Sequence, residues 1–166
     1  MKTWQIIILI VFFLFVMVAF GKPKNMDKIK SITGDKMKIR DCDPAGCGYF
    51  GAHRIGHIHK GIDVIVSPGQ KIFAPISGTI RKLWVYPNSN QMRGVEISGG
   101  DTGIKIFYLD SVLATGDKVK SGDYIGIAQD VAAYHHSPDM TPHVHVEVRK
   151  NGKLLDPEVY FKNVIV

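Results

Sequence analysis

The chain has few cysteines, no window of helical hydrophobic periodicity, no low-complexity segment and only one long apolar run. Each shortage narrows the reading. The two cysteines, Cys42 and Cys47, make only half of a structural zinc site. They flank Asp43-Pro44-Ala45-Gly46, a stretch of strong turn formers, so the pair is read as a disulfide. The basic residues lack the aromatic interleaving of a nucleic-acid binder, and no nucleic-acid partner is expected. The apolar run, Ile6 to Phe20, holds fifteen residues. That falls short of the roughly 20 that a membrane-spanning helix wants. With Lys2 before it and Ala19-Phe20-Gly21 closing it, residues 1–21 read as a secretory signal peptide. Cleavage would leave a secreted, extracellular chain with no membrane span.

Beyond residue 21 there are 20 basic and 15 acidic side chains, a net charge of +5. Seven of the basic residues fall between Lys22 and Arg40. Residues 22–48 are therefore read as a basic arm carrying the Cys42–Cys47 loop, and residues 49–166 as the core domain. From Tyr49 onward, short β-branched runs are broken by Gly, Pro and Asn: "IDVIV", "KIFAP", "GTIRKLWVY", "RGVEISGG", "GIKIFYL" and "VKSGDYIGIA". "HVHVEVRK-NG-KLL" reads as a hairpin on an Asn-Gly turn. "APISGTI" and "VKSGDYIGIA" have the Gly-centred turns of a biotinyl/lipoyl-type hybrid sandwich. The expected fold is all-β, an antiparallel β-sandwich or barrel-sandwich hybrid.

All seven histidines lie between residues 53 and 145. In "HIHKGIDV", His59 and Asp63 are four apart, with Gly61 between them to let the chain fold tightly. An imidazole and a carboxylate brought together in this way suit a divalent zinc ion. A third ligand has to come from elsewhere, and "HVHVEV" can supply it. With a side-chain period of two, His143, His145 and Glu147 share one strand face. Either histidine completes a set of three protein ligands, which leaves the open fourth position of a catalytic zinc site. The other is then placed to handle protons. Glu147 reads as a supporting acid. His135 and His136, in the loop before this strand, could rim the groove.

"HKGIDVIVSPGQKIFAPISGTI" and "PHVHVEVRKNGKLLDPEVYF" resemble the lysostaphin-type zinc metallopeptidases, peptidase family M23, which cut peptide crosslinks in peptidoglycan. The resemblance runs from about His57 to Phe161. It implies zinc as cofactor, His59, Asp63 and His145 as its ligands, and His143 as the catalytic histidine. "KIRDCDPAGCGYFGAHRIGHIHKGIDV" is similar to the chemotaxin-2 group, a secreted, cytokine-like branch of the same fold, though this chain lacks that group's additional cysteines. In "IKIFYLDSV", Tyr108 stands where active members carry a further histidine. The resemblance thus implies a zinc-binding recognition protein with weak or no peptidase activity. Its partner would be an extracellular receptor or a peptide or glycan ligand. The alternative is an active metalloendopeptidase on peptidoglycan crosslinks or glycine-rich peptides, with Tyr108 supporting the oxyanion.

Overall fold

The computed structural model describes residues 29–86 and 90–166. The signal-peptide reading falls outside them. Among the described residues twelve strands follow one another, β1 (His53–Arg54), β2 (His57–Ile58), β3 (Ile62–Ile65), β4 (Lys71–Phe73), β5 (Gly78–Trp84), β6 (Arg93–Gly99), β7 (Thr102–Phe107), β8 (Leu109–Ser111), β9 (Lys118–Val119), β10 (Tyr124–Ala128), β11 (His143–Lys150) and β12 (Lys153–Leu155). The larger sheet has the order β12-β11-β7-β6-β5-β9, with β3 also pairing with β11. A second sheet has the order β4-β10-β8, and β1 and β2 form a small hairpin. All pairs of these strands are antiparallel. The all-β expectation holds.

Alternation along the strands explains why the sheets stack. Val148, Ile104, Ile97 and Ile80 lie opposite one another across β11, β7, β6 and β5. Each is 1% exposed or less. The neighbouring row on the other face is Glu147, Lys105, Glu96 and Arg81, of alternating sign. Like charges are never opposed there, which directly facing charges on a sheet need. Ile72, Leu109 and Ile125 of the second sheet join the apolar row in one core. Ile32 and Met37 of the segment before the first strand belong to the same core.

Two local features shape the site. The hairpin turn between β11 and β12 uses Asn151 and Gly152, at φ 49° and 75°. Positive φ at both positions is what a tight type I′ connection demands. Tyr108, at φ 63°, stands between β7 in one sheet and β8 in the other. That left-handed conformation is uncommon for a bulky residue. It turns the chain from sheet to sheet and carries the tyrosine side chain into the groove.

Among the described residues, two short helices, Val131–Tyr134 and Pro157–Phe161, lie where no helical periodicity is legible. Each is about a turn long, too short to show a repeat. In the second, the Glu158 N–H donates to the Asp156 carboxylate at 2.9 Å. The helix plants Phe161, 1% exposed, in the core. Asp156→Ala is expected to cost about 1 kcal/mol of stability, measured by denaturant unfolding, as loss of an N-cap usually does.

Candidate metal centre

Strand β11 places His143 and His145 on the face opposite Val144 and Val146, which are fully buried in the core. Asp63 in β3 lies directly across from His145 in the antiparallel ladder. His59, in the turn before β3, folds back over this pair. Gly61 makes that possible. A Cβ there would press on the Val146 carbonyl oxygen and sit 2.8 Å from His145 Nε2.

The three side chains converge on one point. His59 Nε2 is 2.9 Å from His145 Nδ1 and 3.1 Å from Asp63 Oδ1. His145 Nδ1 is 2.9 Å from the same oxygen. A tetrahedral zinc ion bound at ordinary lengths sets its donor atoms roughly 3.3 Å apart, close to this triangle. The donor chemistry fits as well. His59 Nδ1–H donates to the Tyr49 carbonyl at 2.8 Å, so Nε2 keeps its lone pair. Behind His145, Nε2 faces Glu147 Oε1 at 3.7 Å.

Asp63 is 2% exposed and its two oxygens face different ways. Oδ1 meets the histidines, while Oδ2 accepts from Arg40 Nη2 at 2.8 Å and Arg54 Nη2 at 3.0 Å. Burial alone would raise this carboxyl. Its hydrogen bonds with His145 and His59 outweigh burial and hold it far below the usual carboxylate range. Burial would lower His145, but Asp63 and Glu147 raise it overall. Arg40 is 2% exposed, and among the described residues its Nε is a buried donor without a partner. Neither arginine is signalled by spacing or motif, and sequence reasoning misses both.

His143 is held apart from the triangle. Its Nδ1–H donates to the Thr141 carbonyl at 2.7 Å, leaving Nε2 as an acceptor 3.8 Å from Asp63 Oδ2. Burial pushes this imidazole below its ordinary pKa, so it is neutral at pH 7. The Tyr108 ring meets it edge to face, centroids 5.6 Å apart. Burial and the neighbouring Tyr86 phenol raise Tyr108 far above an ordinary tyrosine. At neutral pH it can donate a proton in a hydrogen bond but cannot act as a base.

These residues line a groove of about 730 Å³. His57 and His135 are among its lining residues. His135 Nε2 bonds the Tyr86 hydroxyl at 2.9 Å, and Tyr86 stacks on Tyr134. Cys42 and Cys47 form the disulfide read from their spacing. Among the described residues, no helix is long and apolar enough to cross a membrane.

Residues 57–157 match the model of Peptidase family M23. The chain belongs to this family. Within peptidase family M23 it falls in the chemotaxin-2 branch. Leukocyte cell-derived chemotaxin-2 of Bos taurus is 37% identical over 125 residues, covering 74% of this chain and 79% of the relative. The protein of the same name from Mus musculus is 34% identical over the same length, with the same shares. In fold the chain is similar to the catalytic domain of the antimicrobial peptidase lysostaphin from Staphylococcus simulans, with a TM-score of 0.53 at 24% identity. That likeness covers 70% of this chain and 90% of the other. The family match includes the triangle, Tyr108 and His143. It begins after Arg40, the disulfide and Arg54.

Proposed function

We propose that this M23-family chain is a secreted, zinc-binding recognition protein of the chemotaxin-2 type, with little or no peptidase activity. The observation that carries this reading is Tyr108. It occupies the groove where the sequence resemblance expects a histidine, and its buried phenol stays protonated. Zinc held by His59, Asp63 and His145 would supply a Lewis acid at the groove and a cross-link between β3, β11 and the preceding turn. Of the two side chains whose rings meet beside the triangle, His143 offers a neutral acceptor, Nε2, and Tyr108 a hydrogen-bond donor. Hydrolysis of a peptide needs a proton taken up and another delivered. Of this pair His143 can do both, and Tyr108, which stays protonated, cannot take up a proton. The groove then serves to bind an extracellular receptor segment, a peptide or a glycan. Secretion is supported by the signal-like run at residues 1–21 and by the Cys42–Cys47 disulfide.

Two measurements test this. The purified protein should carry about one zinc ion per chain, as a single three-ligand site dictates, and His59→Ala should carry none. Peptidoglycan and glycine-rich peptides should remain uncut, and Tyr108→His should introduce or increase cleavage. Clear turnover by the unaltered protein, lost in His143→Ala, would overturn the reading in favour of an active zinc metalloendopeptidase. That second reading has one observation behind it, the neutral, properly oriented His143 beside the triangle.

A further inference from the structure

The segment Arg40–Gly48, closed by its disulfide, lies outside the family match yet is bound to the centre of the site. Its two ends pair with each other, Gly48 N–H donating to the Arg40 carbonyl at 3.2 Å. Both ends also grip the Asp63 peptide. Arg40 N–H donates to the Asp63 carbonyl and Asp63 N–H donates to the Gly48 carbonyl, each at 2.8 Å. Gly48 has to be glycine for this approach, because a Cβ would come 2.7 Å from the Arg40 Cβ.

The side chains repeat the pattern. The Arg40 guanidinium bonds Asp63 Oδ2 and the Gly46 carbonyl, each at 2.8 Å. Arg54 bonds the same carboxylate oxygen and the Ala45 carbonyl. Each cation that holds the carboxylate therefore also holds the disulfide loop. Asp43, from the same loop, pairs with Arg40 and accepts the Thr141 N–H at 2.9 Å. Thr141 is the residue whose carbonyl orients His143.

We propose that Arg40 and Arg54 are positioning residues of the metal centre, held by the Cys42–Cys47 loop, and that they confine Asp63 to binding zinc through Oδ1 alone. This rests on the zinc reading above. The sign of the effect separates positioning from mere proximity. Two positive charges beside a cation site, acting only by repulsion, weaken it, so removing one would tighten binding. Acting by orientation, they hold the carboxylate fixed. Removing one leaves a single guanidinium on Oδ2 in place of two, so Asp63 gains freedom to rotate and offer both oxygens, which loosens the site by about 10–100-fold.

The test uses Arg54→Gln, because Arg40 is fully buried and its removal threatens the fold. Zinc affinity of the purified, folded chain is read by competition with a fluorescent chelator. Arg54→Gln should bind about 10–100-fold more weakly, and Arg54→Lys should recover part of the loss. Cys42→Ser/Cys47→Ser, which opens the frame without touching a ligand, should also loosen zinc. In the cobalt-loaded form, the visible absorption of Arg54→Gln should weaken as a second carboxylate oxygen raises the coordination number. Affinity equal to or tighter than the unaltered protein, or an unchanged cobalt spectrum, overturns the inference and leaves the zinc reading intact. An unaltered protein that binds no zinc overturns both.

Discussion

Asp63→Ala is expected to abolish zinc binding and to remove about 3–5 kcal/mol of folding stability, the usual consequence of breaking a buried ion pair from one side. The carboxylate is where four side chains meet, His59, His145, Arg40 and Arg54. Without it, Arg40 remains buried with Asp43 as its acidic partner and Arg54 loses its carboxylate. Desolvated guanidinium groups left this way cost several times more than a lost surface pair. Denaturant unfolding with the disulfide intact measures the effect. A loss below about 1 kcal/mol, the range of an exposed salt bridge, would mean that the Asp63 cluster is not structural. Acid should act in the same direction. The folded carboxyl lies below its unfolded value, so its contribution is complete above about pH 4 and falls away as pH drops toward the folded pKa.

Gly61→Ala is the smaller change chemically, and it should still cost about 1–3 kcal/mol, as overpacking of a closed site does. The added methyl would meet the Val146 carbonyl oxygen, backbone that is fixed in β11, and the His145 ring at 2.8 Å. The ring can move and the backbone cannot. His145 is therefore expected to swing out of the triangle, so that zinc affinity falls together with stability. A variant that loses stability yet binds zinc as tightly as the unaltered protein would contradict this account.

Much of this was legible because period-two alternation leaves a strong signature. The β11 sequence shows three valines on one side and His143, His145 and Glu147 on the other, and the strand carries them so. The Asn151-Gly152 turn is equally direct, because few dipeptides accept two positive φ angles. His59 and Asp63 were readable from their spacing around a glycine. The arginines were not, because their role depends on a loop folding back across β3 from more than twenty residues away in the case of Arg40. Tyr86 was hidden for a similar reason, since its link to His135 spans 49 positions. The short helices fall below the length at which a 3.6-residue repeat can be seen.

The apolar face of β11 has a weakness that the opposite face corrects. Val144, Val146 and Val148 are interchangeable, and β3 answers them with Ile62 and Val64. A slip of one residue would expose this row and is forbidden by burial. A slip of two would keep every apolar residue inside, and hydrophobicity alone would barely register the error. His145 and Asp63 break that degeneracy. A slip of two sets either Glu147, a like charge, or His143 opposite Asp63, and both pull Thr141 away from Asp43 of the loop that is bound to Asp63, breaking the hydrogen bond from the Thr141 N–H. The polar cluster thus acts as a proofreading mark on strand alignment, telling apart two foldings that the oil-loving side of the sheet cannot distinguish.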